Sequence, residues 1–281
     1  MITRFAPSPT GPLHLGHAYS VMYAFDLATK NNGQFLLRIE DIDGTRSKKG
    51  WETQIFEELD WLGIRWTKPI VRQSERLAEY TNALKKLEIR GLLYNCTCNR
   101  RDIQEATSAP QETGEPSIGP DGIVYPGICR EKLRDKPLDY DKPIRLDAAL
   151  AFDTLTQPLN WSDNGLKTIS KEVFLMSIGD VVLSRKDMGT SYHLSVVIDD
   201  AAQQVTDVVR GEDLANATAI HALLQALLNL PTPIYHHHHL IRDEMGKRLA
   251  KRDDAQAISS YRNAGATPSD IRRMVRLSPA P

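Results

Sequence analysis

Two histidines, His14 and His17, close the segment Ala6-Pro7-Ser8-Pro9-Thr10-Gly11-Pro12-Leu13-His14-Leu15-Gly16-His17. Three residues apart on the first turn of a helix, their rings share one face. The free N–H groups and positive dipole end of that turn favour an anion. Two prolines stiffen the loop ahead of it, and Gly11 permits a tight turn. Gly16 offers bare backbone on which a flat base can pack. Such a turn would hold the phosphates of a nucleotide and stabilise charge as pyrophosphate leaves. A bare HxGH also reads as two histidines capping an ordinary helix; the twelve-residue context favours the phosphate.

A second cationic element lies far along the chain, Gly246-Lys247-Arg248-Leu249-Ala250-Lys251-Arg252. From Arg242 to Arg276 nine Lys/Arg face five Asp/Glu, a local +4. Alone, such a run is a solvated basic face. As a mobile loop it would close over a triphosphate and balance transition-state charge.

The three cysteines follow the pattern Cys96-x-Cys98, 26 residues, Tyr125, three residues, Cys129. Thiolates are good zinc ligands, and a closed structural site needs four donors. An odd cysteine count in a chain without a secretory signal argues against a disulfide framework. Three reduced buried cysteines are the plainer alternative. His236–His239 also invites a metal reading, and adventitious affinity at most is expected there.

These groups need elements to carry them. Ile2–Phe5 is a short apolar start, Leu15–Lys30 has a helical pattern stopped by Asn31-Asn32-Gly33, and Phe35–Ile39 is a dense apolar strand ending in Glu40, Asp41 and Asp43. Helices are expected at Lys48–Leu62 and, capped by Ser74, at Glu75–Arg90. Leu92–Tyr94 reads as extended. Periodicity fades between Thr107 and Pro143, as in an insertion. Strands are expected at Asp180–Leu183, Leu194–Ile198 and Val205–Val209, then a helix at Leu214–Leu228 broken by Pro231 and Pro233, then a polar helical end. This order is that of a parallel α/β sheet, which binds ligands at the carboxyl ends of its strands. Asp199 and Asp200 are expected to be structural.

The 281 residues are 41% hydrophobic and 25% charged with net charge −1, values that exclude collagen-like, coiled-coil and wholly disordered chains. No run reaches the ~18–20 apolar residues of a membrane span. With no basic-then-apolar leader, a cytoplasmic protein is expected.

RFAPSPTGPLHLGH closely resembles the HIGH region of class I aminoacyl-tRNA synthetases, in their glutamyl/glutaminyl branch. The resemblance continues through LRIEDID (Leu37–Asp43), GDVVL (Gly179–Leu183), SYHLSVVIDD (Ser191–Asp200), VVRGEDL (Val208–Leu214) and RDEMGKRLAKR (Arg242–Arg252). It implies a Rossmann-like catalytic domain with an inserted zinc-bearing, acceptor-type subdomain and a short helical C-terminal segment. The expected divisions are 1–94 and 179–235 for the two catalytic halves, 95–178 for the insertion and 236–281 for the loop and tail.

It also implies site residues. His14, Gly16, His17 and Lys251 would bind ATP, with His14, His17 and Lys251 catalytic. GKRLAKR looks like the KMSKS loop, with Ala250 where a serine is usual and Arg248 at the first lysine. Arg4 would bind the side-chain carboxylate of glutamate and Arg210 the α-carboxylate region. Glu40 would take the ammonium, Tyr192 would supply a hydroxyl and an aromatic wall, and Ala6 and Ser8 would line the pocket. Planar arginine forks suit carboxylates. The CxC…YxxxC pattern implies one structural Zn²⁺ on Cys96, Cys98, Tyr125 and Cys129. Mg²⁺ is expected with ATP.

Only about 30 residues follow Lys251, too few for a further core. The expectation is a monomeric catalytic domain standing alone. It would activate L-glutamate with ATP in the absence of tRNA and transfer it to queuosine in tRNA(Asp). The alternatives are a catalytic fragment of a conventional glutamyl-tRNA synthetase, a small-molecule nucleotidyltransferase sharing only the HxGH turn, and a non-catalytic RNA-binding paralogue.

Overall fold

The computed structural model describes residues 1–108, 117–241 and 256–279. In chain order the elements begin with β1 (Ile2–Phe5), α1 (Leu15–Lys30), β2 (Gln34–Ile39), α2 (Lys49–Trp61), β3 (Thr67–Arg72), α3 (Leu77–Ile89), β4 (Leu93–Asn95) and α4 (Arg100–Ser108). A small hairpin, β5 (Ile118–Gly119) and β6 (Gly122–Ile123), precedes α5 (Arg130–Leu133), β7 (Ile144–Leu146) and α6 (Ala148–Asp153). Then come β8 (Asn160–Asp163), β9 (Leu166–Thr168), α7 (Lys171–Ser177), β10 (Val182–Ser184) and α8 (Tyr192–Ala202). The chain continues through β11 (Asp207–Gly211), α9 (Thr218–Leu228), β12 (Ile234–His238), α10 (Ile258–Asn263) and α11 (Pro268–Met274). No helix among the described residues is long and apolar enough to cross a membrane.

Two compact units result. The first comprises Met1–Glu75, Gln204–Ala215 and Pro233–Pro281. The second comprises Arg76–Gln203 and Asn216–Thr232.

In the first unit β1 pairs parallel with β2, β2 with β3, and β11 with β12. β11 runs alongside β1: Thr206 N–H donates to Ile2 O (2.9 Å) and Ile2 N–H to Thr206 Oγ1 (2.8 Å). β1 thus has β2 as its paired neighbour and β11 alongside it, and the chain reverses its direction of growth between β1 and β11. In α/β sheets that switch point is where ligands bind. Five of the six residues of β2 are buried, as in a strand covered on both faces. α1 lays Leu15, Ala18, Val21, Met22 and Ala28 into the core shared with Phe5, Leu37, Ile39 and Val209. Ile258, Ile271 and Val275 of the C-terminal helices join that core, and Arg272 forms a buried ion pair with Asp26 of α1.

In the second unit β4, β7 and β10 form an antiparallel sheet in the order β10-β7-β4. Asp199 is fully buried and accepts from Arg76 Nε (2.7 Å) and Tyr80 Oη (2.8 Å), the structural role expected of it.

Two local readings need correction. Leu194–Ile198 is not a strand but the middle of α8, begun by Ser191, whose hydroxyl accepts from Leu194 N–H (3.3 Å). A short apolar run of β-branched residues does not separate a strand from a helix buried on several sides, and the N-cap was the missed signal. Ser74 does not cap α3. It sits in a 3-10 turn and donates N–H and hydroxyl to the Asp41 carboxylate (2.8 and 2.6 Å).

The turn after β2 carries a titratable anchor. Asp43 accepts from Thr45 Oγ1 (2.6 Å), Thr45 N (3.2 Å) and Arg46 Nε (2.6 Å). The Thr45 hydrogen bonds and the Arg46 guanidinium hold its carboxyl at about 2, against an ordinary 3.8. A depressed folded value means stability that is full above the ordinary value and lost as pH falls through about 2. Asp43 should titrate near 2 by NMR, and Asp43→Asn should flatten the acid limb of unfolding stability between those limits. A wild-type midpoint at the ordinary carboxylate value would contradict this.

Candidate active site

The Ala6–Pro12 loop leaves β1 and is stitched down on both sides. Glu40 N–H donates to Pro7 O (3.1 Å), and Lys48 N–H to Pro9 O (3.0 Å). Glu58, a buried carboxylate on α2, accepts from Leu13 N–H (3.3 Å), and burial raises its pKa. Glu58 belongs to none of the motifs in the sequence. Its signal was an acid among Ile55, Leu59 and Leu62, on the apolar face of a helix.

His14 is the N-cap of α1. Gly16 N–H donates to His14 Nδ1 (3.1 Å), and His14 N–H donates to His17 Nδ1 (3.1 Å). The two ring centroids are 3.9 Å apart. With both Nδ1 atoms accepting, each neutral ring carries its proton on Nε2. The turn therefore presents two Nε2–H donors at the positive end of a helix. Gly16 leaves room for this: a Cβ there would meet His14 Cε1 at 3.0 Å and Nδ1 at 3.1 Å, so the His14 ring would have to give way.

Arg4 and Arg210 are the penultimate residues of β1 and β11, the two strands that flank the switch point, and both are buried, at 5% and 6% exposure. Arg4 Nη1 donates to Val209 O of β11 (3.4 Å). Arg210 Nη2 donates to Leu214 O (3.2 Å), its Nε donates to His237 Nε2 (3.0 Å), and its guanidinium stands 4.9 Å over the Tyr235 ring. Glu40 follows β2 and accepts from Arg38 Nη2 (3.2 Å). Ala6 and Ser8 lie on the loop beside it. One unit thus carries a helix N-terminus with two imidazole donors, two guanidiniums and a carboxylate. That set can bind a phosphate chain and a small zwitterion with extra carboxylate charge.

Tyr192 opens α8 in the second unit, its ring 5.5 Å from that of His193 and 5.7 Å from that of His221. His193 Nδ1 lies 3.0 Å from His221 Nε2, and His193 Nε2 lies 3.0 Å from Asp121 of the β5–β6 turn. This Asp–His–His chain was not legible from spacing. Lys251 and the rest of GKRLAKR lie outside the described residues. The chain resumes beside the histidine turn: Ile258 N–H donates to Leu13 O (2.9 Å), and Ala257 bridges His14.

Cys96, Cys98 and Cys129 converge, their sulfurs within 4.8 Å of one another, and can share one metal ion. Cys98 Sγ is 3.4 Å from Cys129 Sγ, and Tyr125 Oη is 3.5 Å from both Cys96 Sγ and Cys98 Sγ. A tetrahedron with bonds of about 2.3 Å to sulfur and 2.0 Å to oxygen has edges of about 3.5–3.8 Å, so the donors present fit it. Burial pushes the Cys98 thiol up to about 11 and the Tyr125 phenol up as well. Burial also opposes ionisation of Cys129, but hydrogen bonds from the Tyr125 hydroxyl and from Thr97 outweigh it and bring that thiol to about 6. Among the described residues no other group of three or more His, Cys, Asp or Glu side chains is placed to hold a metal, His236–His239 included.

Residues 1–279 match the family described as tRNA synthetases class I (E and Q), catalytic domain. The glutamyl-Q tRNA(Asp) synthetase of Rhodobacter capsulatus is 58% identical over 281 residues, covering 99% of this chain and 100% of that protein. The protein of the same name from Nocardia farcinica is 37% identical over 273 residues, 95% of this chain and 81% of that one. A crystal structure of a glutamate tRNA ligase from Elizabethkingia meningosepticum, in complex with its amino acid, superposes with a TM-score of 0.76 at 27% identity. It covers 98% of this chain, which spans 60% of the length of that ligase.

Proposed function

The chain belongs to the class I tRNA synthetases (E and Q), catalytic-domain family, and from that premise we propose that it activates L-glutamate with ATP, without tRNA, and transfers it to queuosine in tRNA(Asp). The activation step is supported by the two Nε2–H donors at the start of α1 and by the buried Arg4 and Arg210 and the carboxylate Glu40 carried by the same unit. The end-to-end identity with the Rhodobacter capsulatus protein supports queuosine of tRNA(Asp) as acceptor.

In this reading Arg4 takes the side-chain carboxylate of glutamate and Arg210 the α-carboxylate region. Glu40 takes the ammonium, Tyr192 gives a hydroxyl and an aromatic wall, and Ala6 and Ser8 line the pocket. The α-carboxylate attacks the α-phosphorus of ATP, and pyrophosphate leaves in line. His14, His17 and Lys251 stabilise the charge on the phosphates, and Gly16 leaves backbone open to the nucleotide. A hydroxyl of the queuosine cyclopentene ring then attacks the mixed anhydride and releases AMP. No protein nucleophile is needed. Mg²⁺ accompanies ATP and offsets phosphate charge when bound. Cys96, Cys98, Tyr125 and Cys129 would hold Zn²⁺, which would serve as a structural cross-link of the insertion. The enzyme acts as a cytoplasmic monomer.

Purified, zinc-loaded protein should catalyse glutamate-dependent exchange of pyrophosphate into ATP with no tRNA present. It should load glutamate onto tRNA(Asp) bearing queuosine and leave unmodified tRNA(Asp) and tRNA(Glu) uncharged. Absence of exchange would end the enzyme reading. Charging of tRNA(Glu) would replace the acceptor with that of a conventional glutamyl-tRNA synthetase.

A further inference from the structure

The four consecutive histidines of β12 and the residue after it are each engaged differently. His236 Nε2 pairs with Asp207 (2.8 Å), His238 Nε2 lies 2.6 Å from Ser20 Oγ, and His239 O lies 2.9 Å from His238 Nδ1. His237 meets a residue of the proposed glutamate pocket. The parallel ladder sets His237 directly opposite Arg210, and Arg210 Nε–H donates to His237 Nε2 at 3.0 Å.

We propose that His237 is a positioning residue for glutamate binding, a neutral imidazole whose Nε2 lone pair fixes the guanidinium plane of Arg210. The proposal rests on the reading of Arg210 as a glutamate ligand. An arginine in a protein stays protonated and has no acceptor atom. The 3.0 Å contact therefore assigns the lone pair to His237 Nε2 and its ring proton to Nδ1. This tautomer is the opposite of that at His14 and His17. Register supplies a second restraint. Tyr235 and His237 lie two apart on the strand, on one face, with rings within 2° of parallel at 6.0 Å. The guanidinium is held over the Tyr235 ring, at its Nε by His237 and at one Nη by Leu214 O.

Holding an arginine side chain in one rotamer costs conformational entropy. Fixing its plane before the ligand arrives removes that cost from binding and sets the angle of the fork that meets a carboxylate. The effect falls on glutamate affinity rather than on the chemical step.

The test is glutamate-dependent ATP–pyrophosphate exchange with three proteins. Loss of a hydrogen bond to a charged group predicts that His237→Ala raises the KM for glutamate by about tenfold. The rate at saturating glutamate and the KM for ATP should stay within about threefold of wild type. His237→Gln, whose side-chain oxygen can occupy the place of Nε2, should restore most of the lost affinity. An unchanged glutamate KM in His237→Ala, or a glutamine variant as impaired as the alanine one, would overturn the proposal. Nitrogen-15 NMR of the histidine rings gives a readout without catalysis. It should find His237 protonated on Nδ1, and a ring protonated on Nε2 would also overturn the proposal. Wild-type protein without glutamate-dependent exchange would refute the functional reading instead, with the tautomer still deciding whether His237 accepts from Arg210.

Discussion

His17→Asn slows glutamate-dependent pyrophosphate exchange by about 10²-fold, the usual cost of removing one transition-state donor, while the protein unfolds at nearly the wild-type temperature. Asparagine separates the two jobs of His17. Its side-chain oxygen can replace Nδ1 as acceptor for the His14 N–H, now made at 3.1 Å. It has nothing in the place of the Nε2–H. A cap that is kept and a donor that is lost thus predict a rate defect without a folding defect. His17→Ala loses both and should add about 1 kcal/mol of destabilisation, the typical worth of a helix cap. If His17→Asn exchanges label at the wild-type rate, the imidazoles are caps and nothing more.

Lys251→Ala should show a defect of similar size, because it removes another charge from the same phosphates. Groups that act on one transition state are not additive. The double variant His17→Asn/Lys251→Ala should therefore lose less than the product of the single losses. Full multiplicativity, measured by the same exchange assay, would mean that the two groups act independently.

What the sequence made legible was local and periodic. α1 runs from Leu15 to Lys30, as its apolar pattern and the Asn31-Asn32-Gly33 stop indicated. The parallel order of β1 and β2 followed from strand–helix–strand succession. The three cysteines converge, as their type and grouping suggested, and Tyr125 lies with them, as the family resemblance implied. What stayed hidden depends on contacts between segments remote in sequence. Glu58 reaches Leu13 across 45 residues, and His237 reaches Arg210 across 27. The His237 strand was obscured further, because four like residues carry no alternation to read. The apolar run Leu194–Ile198 fits two periodicities, and only Ser191 separates them. Asp121, His193 and His221 come from a hairpin turn and two helices, and no spacing rule connects them.

Metal analysis of purified protein should find one zinc per chain, and Cys96→Ser should abolish it. The prediction follows from how the four donors are held. Cys96 and Cys98 follow β4, Cys129 immediately precedes α5, and Tyr125 lies between β6 and Cys129. Cys96, Tyr125 and Cys129 are buried with Tyr94, and Ile103, Ile128 and Leu133 pack around them. A metal ion on these donors cross-links segments about 30 residues apart and restrains the insertion as a disulfide would. Its affinity must depend on pH, since ligands bind deprotonated. With its thiol near 6, Cys129 is already a thiolate at neutral pH. Cys98, near 11, gives up its proton to the metal. Zinc affinity, measured by chelator competition, should therefore rise with pH through the neutral range and fall more steeply below pH about 6, where Cys129 too becomes protonated. Tyr125→Phe tests the fourth donor. It keeps the ring that Arg145 covers at 3.8 Å and removes only the oxygen. Affinity should drop by about 10-fold to 10²-fold, the range for losing a supporting group at a zinc site, with one zinc still bound at saturation. An unchanged affinity would leave three thiolates and a donor other than the phenol.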